Sequence, residues 1–358
     1  MVWTSASQAS QRGRYFVVTG GTSGIGYEAV LALARLGADV LFTGRREATG
    51  AARVAEIVQA VPSAAGRVSF GALDLSDLES VSGFASRLLA AGRAIDVLVL
   101  NAGAIGPGVE TLSPQGVEIT LATNHLGHFQ LVRELLPILE KGRGPAAGQG
   151  EAEDKGEGKG EGGVEVDANA SVGSATGGAS SPAPSSPSSP SSSPLRPRVV
   201  LVSSIAARSA SGSLAGALLA GKHPAYHSFP VYGETKLANQ LFARKLQSLS
   251  DARGWGLEVT LAHPGGSATG FGESGGAIFR NLSRVTKAVL AQSAALGAEP
   301  TLRAALDPDA KPLDYYGPRW LGLWGAPVHA WFARNALDQK KQDQLWEWSE
   351  KVAGAYPQ

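Results

Sequence analysis

The octapeptide Thr19-Gly20-Gly21-Thr22-Ser23-Gly24-Ile25-Gly26 follows an apolar run, Tyr15–Thr19, and leads into a stretch with helical spacing, Ile25–Leu36. Glycines at such a turn let a pyrophosphate approach backbone N–H groups at a helix N-terminus. The spacing is Gly-x-x-x-Gly-x-Gly, and a glycine-rich turn alone can be no more than a tight connection. Its place between the first strand and the first helix favours a phosphate site. The candidate cofactor-binding residues here are Gly20, Thr22, Ser23, Gly24, Ile25 and Gly26.

Apolar runs and helical stretches alternate along the chain. The predicted strands are Tyr15–Thr19, Val40–Thr43, Val68–Leu73, Ile95–Leu100, Val199–Ser203 and Leu257–Ala262. The predicted helices are Ile25–Leu36, Glu47–Ala60, Leu78–Ala91, Val117–Glu140 and Tyr232–Leu249. The strands are continuously apolar, as expected when both faces of a parallel sheet are covered. The sequence therefore predicts the α/β class: a single Rossmann-type, doubly wound parallel sheet with helices on both faces.

Residues 141–197 differ in composition from the rest. The segment is rich first in Gly, Glu and Lys, as in Gly156-Glu157-Gly158-Lys159, and then in Ser and Pro, as in Ser185-Ser186-Pro187. It has almost nothing to bury, so we expect a disordered low-complexity insertion. We expect residues 1–140 and 198–358 to form one NAD(P)-binding catalytic domain around it, because extra chain in a surface connection costs little closure entropy.

Composition excludes several classes of function. Lys and Arg number 32 and Asp and Glu 31, so the net charge of +1 does not indicate a nucleic-acid partner. Cysteine is absent, which excludes a disulfide framework, a zinc–thiolate site and a cysteine nucleophile. No apolar run is long enough for a membrane span, and the first strand begins too early to leave room for a signal peptide. We therefore expect a cytoplasmic protein without a transmembrane segment.

The end of the second predicted strand bears on the choice of nucleotide. Thr43-Gly44-Arg45-Arg46 offers no carboxylate for a ribose 2′-hydroxyl, whereas arginine suits a 2′-phosphate. Arg45 and Arg46 could simply be a solvated helix start, but two cations at a helix N-terminus oppose the helix dipole, so a bound anion explains them better. After the third strand, Asp74-Leu75 could contact the adenine amino group, and Asp74 could equally cap the next helix.

Tyr232 and Lys236 are the candidate proton-transfer pair. An unperturbed tyrosine has a pKa of about 10, and a lysine four residues on lies on the same helical face and can stabilise the phenolate. An exposed helix turn is the commoner fate of Tyr-x-x-x-Lys. However, Ser204 ends a strand at the edge where open α/β sheets bind ligands, which favours an active site. Ser203 is the alternative to Ser204.

Several motifs together resemble those of the short-chain dehydrogenases/reductases. They are the TGGTSGIG turn, Asp74-Leu75, Asn101-Ala102-Gly103, Asn124 in NHLGHF, Ser203-Ser204, Tyr232-Gly-Glu-Thr-Lys236 and His263-Pro264-Gly265 with Thr269. The motifs NHLGHF, YGETKLAN and AHPG are similar to those of the retinol dehydrogenase and protochlorophyllide reductase branch. This sequence departs from the family in Leu100, where many members have a second Asn, in the long Ser204–Tyr232 interval, and in its insertion. Protochlorophyllide reductases rely on cysteines near the pigment, so the absence of cysteine argues against that activity.

The resemblance implies roles for these residues. Ser204 would bond the substrate oxygen, Tyr232 would transfer its proton, Lys236 would tune Tyr232 and hold the nicotinamide ribose, and Asn124 would anchor a water of the proton relay. Asn101, Ala102 and Gly103 would lie beside the adenosine half of the cofactor, with Pro264 and Gly265 near the nicotinamide and Thr269 on its carboxamide. The family often dimerises through the helices that carry Asn124 and Tyr232, so a homodimer is a further expectation.

These features predict an NADP(H)-dependent oxidoreductase that acts on a hydrophobic aldehyde, ketone or alcohol. The alternatives are a specific retinal or pigment reductase and a non-catalytic nucleotide-sensing interaction protein. His125 and His128 are three residues apart and have no further acidic or histidine partner nearby in sequence. We therefore interpret them as structural and predict no metal site. We interpret five C-terminal tryptophans as helix-to-sheet packing rather than as a substrate pocket or a membrane-facing lid. They are Trp320, Trp324, Trp331, Trp346 and Trp348.

Overall fold

The computed structural model describes residues 2–140, 196–211, 226–266 and 293–357. In these ranges eight strands form one sheet in the order β3-β2-β1-β4-β5-β6-β7-β8. The strands are β1 (Tyr15–Val18), β2 (Asp39–Gly44), β3 (Val68–Ala72), β4 (Val97–Leu100), β5 (Arg198–Val202), β6 (Glu258–Ala262), β7 (Tyr315–Trp320) and β8 (Trp324–His329). All neighbours are parallel except β8, which pairs antiparallel with β7. The predicted doubly wound α/β fold is confirmed.

Helices cover both faces of the sheet. They are α1 (Gly24–Arg35), α2 (Glu47–Ala60), α3 (Leu78–Ala91), α4 (Ile119–Leu121), α5 (Gly127–Leu139), α6 (Ser228–Arg253), α7 (Ala294–Leu306) and α8 (Gln339–Ala353). One apolar core joins α3, α5, α6 and α8 to the sheet, and a second joins α1, α2 and α7 to its other face. None of these described helices combines the length and apolar character that a bilayer crossing requires.

The strand order reverses beside β1, which has β2 on one side and β4 on the other. In open parallel sheets a crevice forms at such a switch point, outside the carboxyl ends of the strands. The glycine-rich turn follows β1, Asn101 follows β4, and Ser204 follows β5, so these segments meet at one edge. The fold therefore gathers residues that lie far apart in sequence.

The structure corrects two predicted helices. The helix expected over Val117–Glu140 is divided by a π-helical turn, Ala122–Leu126, which separates α4 from α5. The helix expected over Tyr232–Leu249 runs from Ser228 to Arg253. It can begin before Pro230 because the proline lies in the first turn, where its missing N–H costs no helical hydrogen bond. β7, β8, α7 and α8 were not predicted.

The predicted insertion lies almost wholly outside the described residues, which resume at Arg196. Pro197 is buried, and its carbonyl accepts a hydrogen bond of 3.0 Å from the Glu258 amide, so the last residue of the predicted insertion takes part in the sheet. β4, before the insertion, pairs directly with β5, after it. The chain on both sides of residues 141–195 thus contributes to one sheet.

The C-terminal helix α8 packs against α5 and α6 through an aromatic cluster. The Trp346 ring centroid lies 5.0 Å from that of Phe129 and 4.6 Å from that of Tyr356, and the Tyr356 hydroxyl donates to the Phe129 carbonyl at 2.9 Å. The chain's own C-terminus therefore covers part of the two helices expected to form a homodimer interface.

The interpretation of the tryptophans as packing residues is wrong for two of them. Trp346 is buried, but Trp320 is 58% exposed and Trp331 is 81% exposed. Trp320 ends β7 at the turn into β8, and Trp331 lies two residues after the end of β8. Both therefore lie at the ends of the last two strands of the sheet, with their rings in solvent.

We expect Trp346→Ala to lower the free energy of unfolding by about 3–5 kcal/mol, because it leaves a cavity among Phe129, Phe242 and Tyr356. Denaturant unfolding followed by circular dichroism measures this loss. Trp331→Ala is the matched control and should change the free energy by less than about 0.5 kcal/mol, since its ring is exposed. Equal losses in the two variants would contradict the packing described.

Candidate active site

The glycine-rich turn has the shape of a phosphate cradle. Gly20 has a φ of +70°, and a Cβ built on it would lie 2.9 Å from the Ala102 Cα. A Cβ on Gly26 would collide with the Gly20 carbonyl oxygen. α1 begins at Gly24, and the side chain of Ser23 makes no capping hydrogen bond to its amides. These residues fit a dinucleotide phosphate, because the backbone approaches closely and the N–H groups at the helix start are not capped by Ser23.

A hydrogen-bond network ties this turn to the segment after β4. The Asn101 amide nitrogen donates to the Thr19 carbonyl at 2.9 Å, and Thr19 Oγ1 accepts from the Ala102 amide at 3.0 Å. The same hydroxyl lies 2.9 Å from His128 Nε2. His128 Nδ1 faces the Asn124 carbonyl at 3.1 Å, so Nδ1 carries the proton and Nε2 accepts from Thr19. Asn101 and Ala102 thus hold the cradle.

His125 and His128 both lie in the protein interior. Burial lowers the pKa of His125 and of His128 to about 3, so both rings are neutral at physiological pH. His125 Nε2 lies 2.8 Å from the Ser349 hydroxyl of α8. In the described part of the chain no group of three or more potential ligand residues is arranged to hold a metal ion. The histidines therefore serve the packing and the network around Thr19.

Three arginines lie at the carboxyl end of β2 and on α2, the helix that follows it. Arg45 and Arg46 follow β2, are exposed, and make no side-chain hydrogen bond or ion pair with any described residue. Arg53 was not singled out from the sequence. Its Nε donates to the Thr22 carbonyl at 2.9 Å, its guanidinium stacks on Tyr27, and it pairs with Glu56. Arg53 lies seven residues, or two helical turns, after Arg46, the N-cap of α2, so both lie on one side of the helix. This spacing is the sequence signal that could have indicated Arg53.

Asp74 forms a turn rather than a helix cap. Its Oδ1 accepts from the amide of Ser76 at 2.9 Å and from the Ser76 hydroxyl at 2.6 Å. The cap of α3 is instead Asp77, which accepts from the Glu79 amide at 3.1 Å. The capping alternative for Asp74 is therefore wrong. Leu75 is buried. Its carbonyl oxygen lies so close to Gly127 that any side chain at position 127 would collide with this oxygen.

The two serines after β5 point in different directions. Ser203 is buried, and its hydroxyl donates to the Lys236 carbonyl at 2.8 Å. Ser204 is half-buried, accepts from the Ala206 amide at 3.2 Å, and has a side chain that acts to lower the pKa of Tyr232. Ser204, and not Ser203, therefore offers its hydroxyl together with the tyrosine.

Burial sets the protonation states of the tyrosine and the lysine. It raises the pKa of Tyr232 to about 12, although the hydrogen bond from Ser204 acts in the opposite direction. It lowers the pKa of Lys236 to about 8. Lys236 Nζ donates to the Val202 carbonyl at 2.9 Å and lies 5.8 Å from the centroid of the Tyr232 ring. At neutral pH the site thus holds a neutral phenol near an ammonium.

Asn124 lies in the π-helical turn and clamps the neighbouring loop. Its Nδ2 donates to the Ala104 carbonyl at 2.9 Å and to Thr235 Oγ1 at 3.0 Å, and its Oδ1 accepts from the Ala104 amide at 2.8 Å. Gly103 lies between the side chains of Asn124 and Lys236. A Cβ on Gly103 would be 3.0 Å from Lys236 Nζ and 3.3 Å from Asn124 Oδ1. The side chain of Asn124 therefore connects the loop after β4 to α6.

The loop after β6 completes the carboxyl edge. Gly265 has a φ of +70°, and a Cβ there would lie 2.5 Å from the Leu323 carbonyl oxygen. The same oxygen accepts from the Gly266 amide at 2.9 Å. Pro264-Gly265 is thus held against the turn between β7 and β8. Thr269 lies outside the described residues.

Known proteins resemble both the sequence and the fold. A family model described as short chain dehydrogenase matches residues 14–147. The chain is 32% identical to polyprenol dehydrogenase of Mus musculus, covering 96% of this chain and 85% of that protein. It is 31% identical to dehydrogenase/reductase SDR family member 13 of Bos taurus, covering 98% and 75%.

Solved structures share the architecture. A crystal structure of a protein from Mycobacterium paratuberculosis has 29% identity and a TM-score of 0.69, and the match covers 100% of both chains. A short chain dehydrogenase of Shigella flexneri, complexed with NADP, has 20% identity and a TM-score of 0.53, with 86% and 96% covered. The long relatives at more than 30% identity decide the assignment: the chain belongs to the short-chain dehydrogenase/reductase family of oxidoreductases, in its retinol-dehydrogenase-like branch.

Proposed function

We propose that the protein is an NADP(H)-dependent oxidoreductase that interconverts a hydrophobic aldehyde or ketone and its alcohol. The proposal rests on the placement of Ser204 after β5 and of Tyr232 on α6, with the Lys236 ammonium 5.8 Å from the centroid of the Tyr232 ring. A neutral phenol at the carboxyl edge of the sheet suits proton donation to a carbonyl oxygen. A nucleotide-sensing protein would need the glycine-rich turn but no proton donor, so this assembly favours an enzyme.

In carbonyl reduction the bound nicotinamide supplies the hydride, and the protein aligns the substrate and transfers a proton. Ser204 donates a hydrogen bond to the substrate oxygen, which polarises the carbonyl. Tyr232 gives its phenolic proton to the same oxygen as negative charge develops there. Lys236 stabilises the resulting phenolate by its charge, and Asn124 holds the loop against which Lys236 lies. In alcohol oxidation the tyrosine accepts the proton instead.

Two observations support NADP(H) as the cofactor. Arg45 and Arg46 are exposed at the end of β2, and no described side chain neutralises them. A guanidinium can bond a 2′-phosphate through two parallel N–H donors. The Shigella flexneri relative was solved with NADP. Asn101, Ala102 and Gly103 would lie beside the adenosine half, with Asp74 and Leu75 at the adenine and Pro264, Gly265 and Thr269 at the nicotinamide.

The substrate class rests on the relatives. A mouse protein that matches most of the chain is a polyprenol dehydrogenase, which favours an apolar alcohol or aldehyde over a small polar metabolite. A specific retinal or pigment reductase is the alternative, and a panel of aldehydes of increasing length, assayed by NADPH oxidation, separates the two. Binding of NADPH without turnover of any carbonyl would instead favour the nucleotide-sensing protein. A cytoplasmic location and a homodimer stay predictions.

Tyr232→Phe should reduce turnover of an authentic carbonyl substrate by about 100-fold or more, because the phenolic proton is lost while the ring keeps its packing. The dissociation constant for NADPH should stay within a few-fold. Steady-state kinetics and fluorescence titration measure the two quantities. Tyr356→Phe, which removes a buried hydroxyl far from the site, should turn over normally. Near-normal turnover in Tyr232→Phe would refute the mechanism.

Arg45→Asp should reverse the choice of cofactor, because a carboxylate repels the 2′-phosphate and accepts from a free 2′-hydroxyl. A charge-assisted hydrogen bond contributes about 1.5–3 kcal/mol, so the wild type should prefer NADPH over NADH by roughly ten- to a hundredfold from this contact. Dissociation constants for both cofactors at one fixed salt concentration measure this.

Arg12→Asp provides a matched control for that substitution, since Arg12 is also exposed but precedes β1 at the opposite edge of the sheet. It makes the same change in charge and should leave the preference intact. Equal affinity of the wild type for NADH and NADPH would show that the assignment of Arg45 is wrong.

A further inference from the structure

Three buried polar side chains meet beside the candidate active site. Gln240 Nε2 donates to the Ser203 hydroxyl at 3.1 Å and to the Tyr315 hydroxyl at 3.4 Å. All three residues are buried. They come from β5, α6 and β7, so the cluster joins three elements of the fold.

Both N–H donors and the carbonyl oxygen of Gln240 make hydrogen bonds in this cluster. Its Oε1 accepts from the Ala333 amide at 2.8 Å, while its amide group serves Ser203 and Tyr315. The residue is 1% exposed. A buried amide is costly unless it is fully bonded, and an apolar residue of similar size would fill the same place in the helix more cheaply. The side chain is therefore a specific connection rather than a filler.

The cluster ends on the residues of the proposed proton relay. Ser203 donates to the Lys236 carbonyl at 2.8 Å, while Lys236 Nζ and Asn239 Nδ2 both donate to the Val202 carbonyl, at 2.9 and 3.3 Å. These contacts fix the end of β5 against one turn of α6. Ser204 is the next residue along the chain, and Tyr232 lies one turn earlier on the helix.

We propose that Gln240, through Ser203 and with Tyr315, is a positioning residue that holds the end of β5 against α6 and so fixes the position of the Ser204 hydroxyl relative to the Tyr232 phenol. This inference rests on the proposed function for its catalytic consequence. The contacts of Gln240 themselves do not involve substrate or cofactor. Loss of the connection lets the strand end shift relative to the helix, and reactions of this kind are sensitive to misplacements of about 1 Å.

The same helix offers a matched control in Gln247, seven residues further on. Gln247 is 2% exposed and equally well bonded: Nε2 donates to Asp251 Oδ1 at 2.8 Å and to the Leu257 carbonyl at 3.2 Å, and Oε1 accepts from the Val259 amide at 2.8 Å. It joins α6 to the start of β6, at the opposite end from the active site. Loss of either glutamine should destabilise the fold, but only Gln240 should affect the register of Ser204 and Tyr232.

The first measurement compares Gln240→Leu and Gln247→Leu in the full chain. We expect Gln240→Leu to lower kcat for carbonyl reduction about ten- to a hundredfold, with the KM for NADPH within about threefold of the wild type. Gln247→Leu should keep both constants within about threefold, even if the two variants lose similar stability. Equal effects on kcat, or an effect on the KM for NADPH alone, would overturn the inference.

A second measurement does not depend on turnover. Tyrosines labelled with ¹³C at the Cζ position give few resonances, since the chain has seven, and Tyr232→Phe identifies the signal of Tyr232. We expect Gln240→Leu to shift this signal, because the position of Ser204 relative to the phenol changes, and Gln247→Leu to leave it in place. An unchanged signal in a folded Gln240→Leu would overturn the inference.

A double-substitution cycle separates a shared connection from general destabilisation. Gln240 and Ser203 act through one link, so Ser203→Ala should add little to the kcat defect of Gln240→Leu, whereas it should act independently of Gln247→Leu. Full additivity with Gln240→Leu would contradict the link. If the wild type fails to reduce any aldehyde of the panel, the proposed function fails, and the ¹³C shift still decides whether Gln240 sets the register.

Discussion

The parallel register of β1, β4 and β5 is the constraint on which the candidate site depends. Because the three strands run in the same direction, their carboxyl ends lie at one edge, and three segments of the candidate site begin there. The phosphate cradle follows β1, the Asn101 segment follows β4, and Ser204 follows β5. Hydrogen bonds between these segments then set their spacing: Asn101 holds the carbonyl of Thr19, and Asn124 holds the loop after Gly103.

The helix α6, which carries Tyr232 and Lys236, is attached to this edge by buried polar contacts, and burial also sets the protonation states of these two side chains. Lys236 is a buried cation with the Val202 carbonyl as its partner. Burial lowers its pKa to about 8 and raises the pKa of Tyr232 to about 12. The phenol is therefore neutral at physiological pH, which is the protonation state that a proton donor needs. The buried contacts of Ser203 and Gln240 join the end of β5 to the helix that carries the proposed proton donor.

Local sequence patterns predicted the parts of the fold that local geometry controls. The first six strands were predicted from short apolar runs, and the turn was predicted from glycines between a strand and a helix. The Tyr232–Lys236 pair was predicted from its four-residue helical spacing. Asp74 and Asp77 lie three residues apart before α3, and sequence alone could not tell which one caps the helix. β7 was missed because Gly317 and Pro318 interrupt an apolar run at the last strand pair of the sheet. Arg53 and Gln240 act through contacts with Thr22 and Ala333, which only the folded chain brings near.

We propose that Tyr232, supported by the Lys236 ammonium, donates the proton in carbonyl reduction. The pH dependence of kcat/KM for an aldehyde, at saturating NADPH, tests it most directly. Lys236 is charged below its pKa of about 8 and neutral above it, while Tyr232 keeps its proton up to about 12. The account predicts a plateau below pH 8, a decline above it, and loss of this profile in Tyr232→Phe. A rate that rises from pH 6 to pH 9, or a profile that persists unchanged in Tyr232→Phe, would contradict it.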